Sequence, residues 1–187
     1  NLKLFIEGYY DTSIGAMRSV KNNQDGVSPA TDVEDITVEL RNSTTPWGIV
    51  ASTIGVLKTD GTSVCNFNTA PSGSFYIAVR NSNALETWSA NPQAVGTTPL
   101  SYDFSTAANK AYADNMILVG SVYAFYSGDI NQDSVIDGSD ATSLDLDIFN
   151  SETGVRPTDL NGDGSVDGSD SVPFENNSYN SIFAVFP

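Results

Sequence analysis

Two twelve-residue stretches thirty residues apart, 129–140 and 159–170, constrain this chain more than anything else in it. Each carries Asp at positions 1, 5, 9 and 12, Asn at position 3 and Gly-Ser at positions 10 and 11. The oxygen-bearing side chains are Asp129, Asn131, Asp133, Asp137 and Asp140 in the first copy, and Asp159, Asn161, Asp163, Asp167 and Asp170 in the second. Position 7, Val135 or Ser165, is left to offer its backbone carbonyl, and position 8, Ile136 or Val166, is apolar in both. Asp, Asn and Gly favour turns for local reasons, but a merely solvated turn has no need to repeat such a schedule.

Alternate oxygens in a tight loop suit a hard cation of calcium's size, which takes roughly six to eight oxygens at about 2.3–2.6 Å. The spacing is the ligand schedule of an EF-hand calcium loop. The residues just named, with Val135 and Ser165 acting through the main chain, are therefore the expected ligands of two Ca²⁺ ions. Position 6 is Ser134 in the first loop, where Gly suits the sharp turn, and Gly164 in the second, so the first site is expected to be weaker or more strained. The apolar position 8 predicts that the loops pair back to back through a short β-bridge, with Ile136 and Val166 pointing inward.

Charge follows the same division. The net charge of −15 is carried mostly by residues 128–187, where 12 carboxylates face the single base Arg156. Unneutralised, they would repel one another, and two bound Ca²⁺ ions would let the acidic end compact. So acidic a chain is not expected to bind nucleic acid or an anionic membrane, and no apolar run approaches the length that spans a bilayer. There is no His, which removes imidazole metal sites and His-dependent nucleophilic catalysis. Cys65 is the only thiol, so no disulfide forms within the chain, and it reads as a small buried residue. The chain opens at Asn1 with no Met and no signal peptide ahead of it, as expected of a processed chain or a fragment.

Before the loops, period-two alternation predicts strands. Leu2, Leu4 and Ile6 form one, ending near Gly8, and Ile36, Val38 and Leu40 form the clearest. Residues 9–35 read as a long connection. Residues 49–58 run into the Asp60-Gly61 turn and return as a hairpin through 63–68. Further strands are expected at 75–80, 85–90, 100–105, 116–119 and 122–126, about nine in all, with one helical turn over 106–114. The fold class is mainly β: an antiparallel β-sandwich, immunoglobulin-like or transthyretin-like, over residues 1–127, and a small α-helical calcium module over 128–187.

Within 128–183 the chain resembles the dockerin family, whose duplicated calcium loops end in Asp at position 12, as do Asp140 and Asp170, and are preceded by a residue such as Gly128. The resemblance implies a helix after each loop. Ala141, Leu144 and Ile148 keep a helical stripe, and Phe174 matches Leu144 thirty residues on, just after Pro173 in the first turn. Asn176, Asn177 and Ser178 predict that the second helix is short. Taken whole, the chain is similar to C-terminal modules of large secreted surface proteins of Bacteroidota, through Leu2 to Tyr10, Leu85 to Pro92 and Tyr102 to Phe104. That resemblance implies an extracellular or cell-surface location.

Three functions compete. The last predicted strand leads into Asp129 through Tyr126, Ser127 and Gly128 alone, and so short a joint is no flexible tether. It favours a non-enzymatic, calcium-stabilised structural or adhesion module, such as a filament subunit, that associates with itself or with a protein partner. The apolar tail 182–186 is expected to pack against the calcium module or to add a strand. The second reading is a docking module for a cohesin-like partner. In the dockerin family loop positions 10 and 11 face the partner, here Gly138-Ser139 and Gly168-Ser169, although residues 141–150 lack the family's basic residue. The third is a carbohydrate-binding module using Trp47, Trp88, Tyr9 and Tyr10. Glu7, Glu39, Glu86 and Asp103 lie outside the loops, but nothing in the sequence pairs them as a glycosidase requires.

Overall fold

The computed structural model describes residues 1–187. Leu2, Leu4 and Ile6 are buried as the alternation predicts, but so is Phe5, and the strand itself, β1, is only Leu2–Lys3. A segment walled in on both faces carries no polar side. The supposed connection over 9–35 is structured: it forms β2 (Tyr10–Asp11) and β3 (Ala16–Met17), which pair as a hairpin, and then helix α1 (Val20–Asp25). Its polar sequence hid the helix because only Val20 is buried.

The principal sheet is built from β4 (Asp32–Asn42), β5 (Ile49–Lys58), β7 (Gly73–Arg80) and β8 (Thr87–Trp88), in the order β5-β4-β7-β8. A further strand, β9 (Gln93–Val95), also pairs with β7. Ile36, Val38 and Leu40 face the core from β4, and Ile77 and Val79 join them from β7. The Asp60-Gly61 turn forms, with Gly61 at φ 84° and the Asp60 carboxylate accepting the Thr62 N–H. It does not close the expected hairpin, however. It passes the chain to a second sheet, in which β6 (Thr62–Ser63) pairs with β1, and β1 pairs in parallel with β10 (Tyr102–Asp103). The β portion is therefore not wholly antiparallel.

Residues 106–114 give two 3₁₀ turns, Ala108–Lys110 and Tyr112–Asp114, before β11 (Ile117–Val119) and β12 (Val122–Ala124) pair with each other. There are twelve strands rather than nine, because several are only two residues long. The fold is mainly β with several sheets and few helices. The two larger sheets share one core, in the manner of a sandwich.

After β12 come two units, each a loop followed by a helix: α2 (Gly138–Asn150) and α3 (Ser171–Tyr179). They enclose a second core of Ile136, Leu144, Leu160, Val166, Phe174 and Ala184. Leu85, from the stretch before β8, is inserted among them. The second helix is short, as expected, 9 residues against 13 in α2, and it ends at Tyr179 with Asn176, Asn177 and Ser178 in its last turns. Tertiary bonding holds that end of the helix: Asn177 is buried and donates to Glu7 Oε2 at 2.6 Å and to the Ser127 carbonyl at 2.8 Å.

The joint between the two portions is thus buried and polar. Glu7 also accepts the Ser127 N–H, and Asn83 donates both to Tyr9 Oη and to the Pro157 carbonyl, at 2.9 and 3.1 Å. Gly8 lies so close to the Leu160 carbonyl that an added methyl would fall well inside van der Waals distance. Gly8→Ala is expected to cost about 1–3 kcal/mol, seen as a lower urea midpoint, whereas Gly138→Ala, into open space, stays within about 0.5 kcal/mol. Equal midpoints for the two variants would show that the joint is not packed as described.

Candidate metal loops

Both acidic loops place their first and last residues inside the protein: Asp129, Asp140, Asp159 and Asp170 are all at most 2 % exposed. Carboxylates leave water at a cost unless donors or a cation meet them. Main-chain N–H groups meet the position-12 side chains. Asp140 Oδ1 accepts from Ile130 and Asn131 at 2.8 and 2.9 Å, and its Oδ2 accepts from Asp137 at 3.0 Å. Asp170 repeats this with Asn161 and Asp167, both at 2.9 Å. Position 9 accepts a main-chain N–H from its own loop in each copy, Asp137 from Ser139 at the start of α2 and Asp167 from Ser169 in the turn that precedes α3, and these bonds lower both carboxyls below the usual range. At α2 this becomes a reciprocal capping box between Asp137 and Asp140.

Positions 3 and 5 form the outer rim. Asn131 Oδ1 accepts the Asp133 N–H and Asp133 Oδ1 the Val135 N–H, at 2.8 and 3.0 Å, and Asn161, Asp163 and Ser165 repeat both bonds. The structure therefore folds each predicted ligand set into one loop. It does not converge three or more acidic side chains into a finished cluster.

The loops differ at position 1. Asp159 is fully served, by Gly162, Asp163 and Gly164 N–H groups and by Gln24 Nε2 from α1 at 3.0 Å. In the first loop Asp129 Oδ2 accepts from Ser134, but its Oδ1 is buried with no hydrogen-bond partner. Burial and the neighbouring Asp140 charge push the Asp129 carboxyl up to about 6. Asp170 also rises to about 6, through burial and the charges of Asp159 and Asp163, and burial raises Asp159. An orphaned buried carboxylate oxygen among like charges, in an all-oxygen donor set, fits a hard divalent cation of calcium's type.

Backbone strain agrees with the position-6 argument. Ser134 sits at φ 77° and Gln132 at φ 61°, while the second loop has Gly164 and Gly162 at φ 92° and 71°. The left-handed region costs a non-glycine residue about 1–2 kcal/mol. In the second loop glycine is needed for another reason too: α1 packs so closely that a Cβ on either glycine would strike Asn23 or Val20.

The expected back-to-back bridge between the loops does not form. Ile136 and Val166 do point inward, but Val135 pairs with Phe183 of the tail, and Ser165 with Thr153. The clamp of α1 on the second loop, through Asn23 to the Gly162 carbonyl and Gln24 to Asp159, had no sequence signal beyond a polar run. Of the aromatic candidates, Tyr9 and Trp88 are buried and Trp47 and Tyr10 half-buried. Glu39 contacts Arg41, Glu86 binds Arg80 and the Trp88 N–H, and Asp103 caps Ser105.

No family model and no curated protein matches the sequence. Among solved structures, a chain of a type II Cohesin-X-Dockerin complex from Acetivibrio cellulolyticus, a C-terminal interface mutant, is similar over 95 % of this chain and 92 % of its own, at 14 % identity and a TM-score of 0.51. A chain of the corresponding N-terminal interface mutant matches over 76 % and 80 %, at 18 % identity and a TM-score of 0.46. At such identity the first match speaks for the fold alone.

Because the folded, metal-free protein holds protons on Asp129 and Asp170 more tightly than the unfolded chain, where Asp titrates near about 3.9, it gains stability as pH falls from 7 toward about 5. Carboxyls held low, such as Asp11, Asp25 and Asp60, lose their contribution only below about pH 4. In EGTA the melting temperature is therefore expected to rise between pH 7 and 5, and Asp129→Asn should flatten the rise. A fall over that interval in EGTA would contradict the burial of these carboxylates.

Proposed function

We propose that this chain is a non-enzymatic, calcium-stabilised structural or adhesion module that works outside the cell, with a β-sandwich over 1–127 and a dockerin-like calcium pair over 128–187. The observation that carries the reading is the burial of the first and last carboxylates of both loops, with one Asp129 oxygen left without a donor. A divalent ion would be held by Asp129, Asn131, Asp133, Asp137, Asp140 and the Val135 carbonyl in the first loop. Asp159, Asn161, Asp163, Asp167, Asp170 and the Ser165 carbonyl would hold one in the second. The ion's part is electrostatic: it offsets the repulsion among the carboxylates of residues 128–187, a segment whose own sequence carries a single base, Arg156. The buried joint supports the structural role, since Glu7, Asn83 and Asn177 make the two portions one load path.

A second reading, docking to a protein partner, is favoured by the outer face of α2, where Leu146 and Phe149 are 57 % and 85 % exposed. The similar fold is drawn from a cohesin-dockerin assembly, which agrees with protein partners in general. Titration with a cohesin module tests it: binding that Phe149→Asp abolishes would favour docking over the structural role.

Extracellular calcium modules bind at about 10⁻⁴–10⁻³ M, and a ligand at a hundredfold its Kd adds about 2.7 kcal/mol per site. At about 2–4 °C per kcal/mol for a chain of this size, EGTA is expected to lower one cooperative melting transition by roughly 10–20 °C from its value in saturating calcium. Calorimetry should count two sites, with Asp133→Ala and Asp163→Ala each removing one. Unchanged stoichiometry, or a separate β-domain transition indifferent to chelator, would refute the proposal.

A further inference from the structure

The C-terminal tail touches two places that the chain otherwise keeps apart. After a turn at Ser181, the Ile182 carbonyl accepts the Ile136 N–H at 2.9 Å and the Ala184 N–H goes to the Ser134 carbonyl at 2.8 Å, setting Phe183 antiparallel to Val135 in the first loop. Asn115 Nδ2 holds the Phe183 carbonyl at 3.1 Å. Phe186 then packs on the Trp88 indole, with ring centroids 5.6 Å apart. Trp88 is 5 % exposed, with its N–H on Glu86 and the Arg41 guanidinium over its ring at 5.3 Å. Phe186 itself stays 40 % exposed, so it serves as a cover rather than as part of the core.

We propose that residues 182–186 form a calcium-held latch: a cation in the first loop keeps the tail docked, and its loss frees Phe186 from Trp88. The inference rests on the calcium reading of that loop. Its mechanism lies in Val135. The tail bonds to Ser134 and Ile136 on one edge, while the Val135 N–H turns the other way, to Asp133 Oδ1 at 3.0 Å. In an extended residue the carbonyl shares the edge of its own N–H, so tail pairing aims the Val135 carbonyl into the loop, where a cation at position 7 would draw on it. Two events that favour one backbone shape are coupled, and each strengthens the other.

The latch belongs to the first loop only. Its backbone carries Gln132 and Ser134 in the left-handed region, and nothing from α1 reaches its position-1 carboxylate as Gln24 reaches Asp159. The outer edge of the second loop pairs with Thr153 and Gly154, not with the tail. A terminal segment held by a few main-chain bonds, the Asn115 amide, the small side chain of Ala184 at the rim of the second core and one aromatic contact opens before the rest of that core does.

The test uses the full chain with Trp47→Phe, which leaves Trp88 as the only indole, and follows acrylamide quenching alongside calorimetric calcium binding and far-ultraviolet circular dichroism. Quenching is expected to rise severalfold from millimolar calcium to EGTA while the dichroism stays folded. Asp133→Asn should raise it in calcium and Asp163→Asn should not. Phe186→Ala should abolish the calcium dependence of quenching and weaken the first site by about fivefold or more. Two bound calcium ions with quenching unchanged by EGTA would overturn the latch and leave the calcium reading intact. No calcium binding would remove both, and equal effects of the two Asn variants would show general loosening instead of a latch.

Discussion

Four carboxylates held out of water govern the last third of this protein. Asp129, Asp140, Asp159 and Asp170 close the two loops from inside, and the apolar residues that share their interior, Ile136, Leu144, Leu160, Val166 and Phe174, can pack only once those loops are closed. Backbone N–H groups answer most of the charge, which is how the loops hold their shape. They do not answer all of it: Asp129 keeps an oxygen without a donor, and Asp129 and Asp170 hold their protons up to about pH 6. Charge left unanswered by hydrogen bonds in this way is what the proposed cation would offset.

The two loops are copies in sequence but not in support. The second is braced by the β portion, through α1, and its glycines permit the close approach. The first is braced by the end of the chain, and accepts strain at Gln132 and Ser134. Duplication supplies the same acidic pattern twice, but only one copy can face α1, so the other must find its outer edge elsewhere. The tail supplies it, and in doing so ties the first loop to Trp88 on the principal sheet.

Between these units runs a joint in which Glu7, Ser127 and Asn177 satisfy one another, while Asn83 donates to Tyr9 Oη and the Pro157 carbonyl. Buried polar networks of this kind are demanding, since losing one member strands the others. Burial raises the Glu7 carboxyl above its ordinary range, and the Asn177 amide and Ser127 N–H act against that rise. The same bonds anchor the last turns of the second helix, where the run of Asn and Ser adds little helix propensity of its own. Leu85 adds the apolar part, projecting from the β portion into the second core.

The loops were legible in the sequence because their pattern is local: alternate oxygens within twelve residues and an apolar position 8 need no distant partner to be recognised. The strands at 32–42 and 73–80 were legible for a similar reason, since one buried face imposes a period of two. Where both faces are buried, as over Leu4, Phe5 and Ile6, that period vanishes, and where only one residue is buried, as in α1, no stripe exists to be read. What each loop pairs with, how the Asp60-Gly61 turn hands the chain to another sheet, and which Asn lies at the joint are set by contacts between residues as much as 170 positions apart. Such pairings depend on which surfaces meet after the chain has collapsed, and only the tertiary structure decides that.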